Sequence, residues 1–127
     1  MKTTKANFEY YKSECTKWIN YFGLVGWDID YEHSDKNNFD TLYLSYIARD
    51  GIEHRRCTFG LTVDWDKTKI TKNEIAKCAF HEVLHLMFAR IEDIGESRYI
   101  SRSEISEELH NLIAIFENTL FKHVEIK

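Results

Sequence analysis

One stretch of the chain decides most of the fold: residues 71–91, which read TKNEIAKCAFHEVLHLMFARI. Its apolar residues recur at the spacing of a helix and would cover most of the helix circumference. They are Ile75, Ala76, Ala79, Phe80, Val83, Leu84, Met87, Phe88 and Ile91. Such a pattern is typical of a central, buried helix. Thr71 and Glu74 fit a capping box at its start, and Gly95 is expected to lie beyond its end. We therefore predict a buried helix over residues 74–91.

The same stretch contains a metal-binding motif, because His81-Glu82-Val83-Leu84-His85 reads H-E-x-x-H. Positions four apart share one face of a helix, so both imidazoles can reach a single metal ion. Glu82 can reach a metal-bound water without ligating the metal itself. Such polar groups are costly inside an apolar helix unless they have partners, and a metal satisfies them. The motif predicts one zinc ion on His81 and His85; the simpler alternative is two packed or solvent-facing histidines.

A catalytic zinc site needs a third protein ligand, and the last helix of the chain is the natural donor. We predict this helix from about Ser103 to Phe121, with its core stripe formed by Ile105, Leu109, Leu112, Ile113, Phe116 and Leu120. Its candidate ligands are Glu104, Glu107, Glu108, His110 and Glu117. At about 100° per residue, Glu107 faces away from the stripe, whereas Glu108 and His110 flank it. His110 is ranked first and Glu108 is the reserve; the alternative is a boundary histidine beside a solvated acidic face.

The remaining segments complete an α+β domain. An amphipathic helix is predicted over Thr4–Phe22, and Gly23 and Gly26 close it. Three strands are predicted at Trp27–Tyr31, Leu42–Ala48 and Cys57–Trp65, with a turn at Asp50-Gly51. The expected architecture is an N-terminal helix, a small and mostly antiparallel three-stranded sheet, the motif helix and a C-terminal helix. Without proline, repeats or a low-complexity linker, residues 1–127 are expected to form one domain.

Composition excludes several classes of function. The 17 Lys and Arg residues are scattered against 21 Asp and Glu, which gives a net charge of −4 and no nucleic-acid footprint. No apolar run is long enough to span a membrane, and residues 1–10 lack the apolar core of a signal peptide. Cys15, Cys57 and Cys78 are odd in number and widely spaced, so we expect reduced thiols in a cytoplasmic protein. The oligomeric state is not indicated.

The chain resembles the small single-domain zincin metallopeptidases, and most of all those of phages and prophages. Three features carry the resemblance: the strand CTFGLTVDW at residues 57–65, the helix AFHEVLHL at residues 79–86 and the closing EELHNLI at residues 107–113. They cover about the second half of the chain. The resemblance implies a minimal zincin-like fold, a peptide or protein substrate, and site roles for His81, Glu82 and His85. Related zincins often take the third ligand as a glutamate from the closing helix. In this chain, His110 competes for that role.

The mechanism implied by this resemblance is metal-assisted peptide hydrolysis. Zinc lowers the pKa of its bound water towards about 7, and Glu82 takes the proton and passes it to the leaving amine. The oxyanion needs a second electrophile, for which the loop between the last two helices offers Arg98, Tyr99 and Arg102. The segment Cys57–Trp65 is expected to be an exposed strand edge that binds an extended peptide.

Two alternatives belong to other classes of protein. In the first, zinc only staples the two helices, and the surface binds a partner without catalysis. In the second, residues 82–85 and 107–110, which both read E-x-x-H, belong to a di-iron carboxylate helical protein. That protein needs glutamates from two further helices. Glu9 or Glu14 can come from the first helix, but the predicted strands leave no segment for a fourth helix.

Overall fold

The chain forms four helices and one small sheet within the residues that its computed structural model describes, which are 1–35, 44–50, 55–96 and 101–121. The helices are α1 (Lys5–Phe22), α2 (Lys72–Met87), α3 (Ala89–Glu96) and α4 (Arg102–Asn118), and the strands are β1 (Asp28–Ser34), β2 (Ser45–Arg49) and β3 (Arg56–Thr62). The predicted α+β class is confirmed. No helix of this part of the chain has the length and apolarity needed to cross a membrane.

The sheet is mixed, with the strand order β1-β3-β2. β1 runs parallel to β3 in the register Asp28–Arg56 to Ser34–Thr62, and β2 runs antiparallel to β3. Because β3 pairs on both sides, the prediction that Cys57–Trp65 supplies an exposed strand edge is wrong. β2 is an edge strand of this sheet instead, and it lies beside α2.

The core lies between α1, α2 and the inner face of β3. Its most deeply buried side chains are Tyr11, Cys15, Phe59, Leu61, Trp65, Ile75, Ala79 and Val83. α2 is therefore the central helix that its apolar pattern predicts. The Thr71 hydroxyl accepts a 3.1 Å hydrogen bond from the Glu74 amide at its first turn, so the predicted start of this helix is confirmed. Gly23 ends α1 in the left-handed region at φ 67°, where glycine is favoured.

The motif helix ends earlier than its apolar pattern predicts. Phe88 leaves helical geometry at φ −92° and ψ 5°, and α3 starts at the next residue. Gly95 lies inside α3 rather than beyond a helix end. Arg49 of β2 fixes α3 by binding Asp93 at 3.1 Å and Glu92 at 3.0 Å. This pairing joins residues more than forty positions apart, so local periodicity contains no sign of it.

α4 turns a different face to the protein than predicted. Its N-cap is Ser101, not Ser103, and the Ser101 hydroxyl accepts a hydrogen bond from the Glu104 amide. Glu108 and Leu112 are buried, whereas Ile105, Leu109 and Ile113 are 43–51% exposed. Except for Leu112 and the half-buried Phe116, the predicted core stripe of α4 is therefore wrong. α4 has apolar residues on two adjacent faces. The face that turns towards the protein also bears Glu108, which forms an ion pair with Arg90 of α3. Gly51 of the predicted Asp50-Gly51 turn lies outside the described residues.

Candidate metal and catalytic site

The rings of His81 and His85 contact each other on the exposed face of α2. They lie one turn apart, both are exposed, and their Nε2 atoms are 3.3 Å from each other. Two nitrogens bound to one tetrahedral zinc at about 2.05 Å each are separated by about 3.3 Å. The separation of the two Nε2 atoms is therefore compatible with two ligands of one zinc ion. Without a metal, one ring N–H can donate to the other ring nitrogen at the same distance.

Glu82 lies beside this pair and points towards β2. It is only 6% exposed, and its Oε2 accepts a 2.6 Å hydrogen bond from the Ser45 hydroxyl. One ligand-capable atom from each of Glu82, His81 and His85 lies within 4.8 Å of the other two. A buried carboxylate needs hydrogen-bond donors to offset its lost hydration, and Ser45 supplies one from the neighbouring strand. The fold thus holds an acid next to the two imidazoles.

A second acid, which sequence reasoning missed, contacts the other side of His85. Oε1 of Glu92 lies 3.4 Å from Nδ1 of His85, and its Oε2 accepts a 3.0 Å hydrogen bond from Arg49. This bond from Arg49, aided by His85, lowers the pKa of Glu92. One signal was available in the sequence: Glu92 follows His85 by seven residues, which is two helical turns. Arg49 carries no such signal, because only the tertiary fold brings it here.

The site occupies a cleft of about 350 Å³ between β2 and the helices α2 and α3. The cleft is lined by Ser45, Tyr46, Ile47, Arg49, His81, Glu82, His85 and Glu92. A neighbouring cavity of about 280 Å³ shares Ser45, His81 and Glu82 and extends to Cys78. A larger cavity of about 580 Å³ lies among aromatic side chains of α1, α2 and α4. Among the described residues, the titratable groups that line it are Lys17 and Tyr21, so the polar cleft is the better candidate for chemistry.

The predicted third ligands are not brought to the histidine pair. His110 is exposed, and its Nδ1 lies 2.7 Å from the Ser106 carbonyl oxygen. Glu108 is 6% exposed and forms a 3.1 Å ion pair with Arg90. Glu107 is exposed, as its position opposite the stripe predicts. In the part of the chain with described positions, the metal-capable group consists of residues 81, 82 and 85. The ranking of His110 before Glu108 stays a prediction.

Of the three residues predicted as a second electrophile, the structure describes Arg102. Arg98 and Tyr99 lie outside the described residues. Arg102 is the exposed first residue of α4, and none of the contacts found among described residues joins it to the histidines. This assignment stays a prediction.

The geometry disfavours a di-iron centre. Glu9 pairs with Lys12 at 3.2 Å and Glu14 with Lys17 at 2.8 Å along the surface of α1. Within the described ranges, neither carboxylate joins a metal-capable group, and the exposed Glu107 does not do so either. The second E-x-x-H sequence therefore does not face the first.

The three cysteines are free thiols, and Cys15 and Cys57 are buried. Burial raises the pKa of Cys15 to about 12 and that of Cys57 to about 11. Burial also raises the pKa of Cys78. Because the thiolate is the form that ligates metals and attacks electrophiles, these thiols are suited to packing rather than chemistry.

Comparison of the chain with protein-family models, with curated proteins and with solved structures finds no match.

Proposed function

We propose that the protein is a zinc-dependent peptidase with one zinc ion on His81 and His85. The observation that carries this proposal is the 3.3 Å separation of their Nε2 atoms, which matches two ligands of one tetrahedral zinc. The Glu82 carboxylate lies next to the two imidazoles and leaves both Nε2 atoms available to a metal ion. Two exposed imidazoles also leave the position open to solvent, and an open position favours catalytic zinc over a closed structural site.

The roles of the protein groups follow from their contacts. His81 and His85 would hold the zinc ion, which would supply Lewis-acid chemistry that lowers the pKa of water to about 7. Ser45 holds Oε2 of Glu82, which leaves Oε1 to accept a proton from the attacking water. Glu82 then delivers this proton to the leaving amine, as a general base that becomes a general acid.

His110 remains our proposed third ligand, with Glu108 in reserve. A histidine whose Nδ1–H donates to a carbonyl carries its lone pair on Nε2, and the contact of His110 with Ser106 supports this tautomer. Glu108 already forms an ion pair with the exposed Arg90, so ligation by Glu108 would break this pair. This difference supports the ranking.

The proposed substrate is a peptide or protein that binds in extended form along β2. β2 is an edge strand of the described sheet and carries Ser45 and Arg49 in the wall of the cleft. An extended peptide can add to such an edge through main-chain hydrogen bonds, which brings its backbone alongside Glu82. The proposal includes a cytoplasmic setting, since the three cysteines are free thiols.

Metal analysis tests the proposed site. Purified wild type is expected to hold one zinc per chain, whereas the double variant His81→Ala/His85→Ala holds none. The matched control is His33→Gln, because His33 stacks on Phe8 outside the cluster, and it should keep the zinc. Two irons per chain would support the di-iron alternative. Full zinc occupancy in the double variant would contradict the proposed site.

A further inference from the structure

A chain of polar contacts connects His85 to the edge strand of the sheet. Nδ1 of His85 lies 3.4 Å from Oε1 of Glu92, and Oε2 of Glu92 accepts a 3.0 Å hydrogen bond from Nη2 of Arg49. Nη1 of Arg49 donates to both Asp93 oxygens at 3.1 and 3.2 Å. The Arg49 side chain is only 16% exposed. Both terminal nitrogens of Arg49 are bound to carboxylates, so the guanidinium is held in place. Because Arg49 belongs to β2, the sheet fixes the position of Glu92.

The position of Glu92 relative to His85 determines what it can do. It contacts Nδ1, whereas the nitrogen that faces His81 is Nε2. A carboxylate on Nδ1 favours the tautomer that has its proton there, and this tautomer leaves the Nε2 lone pair for a metal. Outer-shell carboxylates of this kind also fix the orientation of the ring and raise its basicity.

We infer that Glu92 is a positioning residue of the metal site, which orients His85 through Nδ1, and that Arg49 of β2 holds Glu92 in place. This inference rests on the proposed zinc site at His81 and His85. It assigns Glu92 a role next to a ligand rather than as a ligand, and it makes β2 part of the metal site. Ser45 and Arg49 occupy the same face of β2, so one strand contacts Glu82 directly and His85 through Glu92.

Zinc affinity, measured by competition with a chelator, separates this role from a general effect on folding. The test variant is Glu92→Gln, and the matched control is Asp93→Asn. Both variants remove one negative charge and one carboxylate partner of Arg49, but only Glu92 contacts His85. At about pH 8, where free imidazoles are neutral, we expect Glu92→Gln to lose roughly 10–100-fold in zinc affinity. Asp93→Asn keeps the contacts of Glu92 with His85 and Arg49, so it should lose clearly less zinc affinity than Glu92→Gln.

Equal losses in the two variants would overturn the inference, and so would wild-type affinity in Glu92→Gln. Nuclear magnetic resonance of the imidazole nitrogens in metal-free wild type gives a second readout that needs no variant. His85 is expected in the tautomer protonated at Nδ1; protonation at Nε2 instead would overturn the inference. A wild type that binds no zinc at all would refute the proposed function itself, whereas failure of the positioning role leaves zinc bound to the wild type.

Discussion

The Ser45 hydroxyl donates a 2.6 Å hydrogen bond to Oε2 of Glu82, and this contact joins the edge strand β2 to the motif helix α2. Glu82 is buried, so its carboxylate depends on protein donors more than an exposed one does. The contact also selects which oxygen stays available for a proton. The alignment of the proposed base is therefore set by a strand residue that lies outside the motif.

Replacing this strand hydroxyl should slow catalysis without removing the metal. A hydrogen bond to a charged group is worth about 1.5–3 kcal/mol, so Ser45→Ala is expected to lower kcat roughly tenfold or more. Zinc content should remain at the wild-type value. Ser45→Thr keeps the hydroxyl on a side chain suited to strands and is the control. Wild-type kcat in Ser45→Ala would show that Glu82 does not depend on this donor.

Gly60 should tolerate no side chain, because the ring of Tyr46 lies directly over it. A methyl group built on Gly60 would overlap this ring, which is held across the sheet by a 2.8 Å hydrogen bond from its hydroxyl to Glu32. We expect Gly60→Ala to cost about 1–3 kcal/mol of unfolding free energy. Gly95→Ala is the matched control, since Gly95 is helical and has open space around it; it should gain about 0.5–1 kcal/mol. Urea unfolding measures both, and equal effects of the two substitutions would contradict this packing.

Alkaline pH should destabilise the protein through Cys15. Burial raises the pKa of this thiol to about 12 in the folded chain, against about 8.5 in an unfolded one. The neutral thiol therefore contributes its stability in full below about pH 8.5, and this contribution is lost as the pH rises towards the folded value. Relative to Cys15→Ala, the wild type should lose up to about 1.4 kcal/mol per pH unit above that point. Parallel stability curves for the two proteins would show that Cys15 does not carry this dependence.

The parts of the fold that follow from local pattern were predicted from the sequence. α2 has strong apolar periodicity and a capping Thr71, and α1 ends at Gly23, so both helices were placed to within a few residues. The convergence of His81 and His85 follows from helical spacing alone. In these places the local signal and the tertiary packing agree.

The parts that depend on long-range contacts were not predicted. The parallel pairing of β1 with β3 places β3 at the centre of the sheet, and no local pattern distinguishes a central strand from an edge strand of this length. The helix break at Phe88 has no neighbouring glycine or proline that would indicate it in the sequence. α4 has two adjacent apolar faces, and Arg90 lies against the one that bears Glu108. Arg49 and Glu92 were missed for the same reason, since their contact requires the completed fold.

Zinc affinity also tests the proposed third ligand. Loss of a direct ligand should exceed the roughly 10–100-fold effect of an outer-shell group, so His110→Ala is expected to lose more than about 100-fold in zinc affinity. Glu107→Ala is the control, because Glu107 is exposed on the same helix. If His110→Ala binds zinc like this control while Glu108→Gln does not, the reserve ligand takes its place.

Glu82 is the proposed general base of a zinc peptidase. Glu82→Gln keeps the size of the side chain and an oxygen that can accept from Ser45, but the amide cannot take a proton from water. A general base contributes roughly 10²–10⁴-fold to the rate, and a zincin-type base also delivers the proton to the leaving amine.

The decisive measurement compares zinc content and hydrolysis of a broad peptide and protein library by the wild type and Glu82→Gln. We expect one zinc per chain in both proteins, chelator-sensitive cleavage by the wild type, and a loss of about 10²–10⁴-fold or more in the variant. Equal cleavage by both proteins would contradict the role of Glu82. No cleavage across the library by zinc-loaded wild type would contradict the peptidase and favour zinc as a staple between helices.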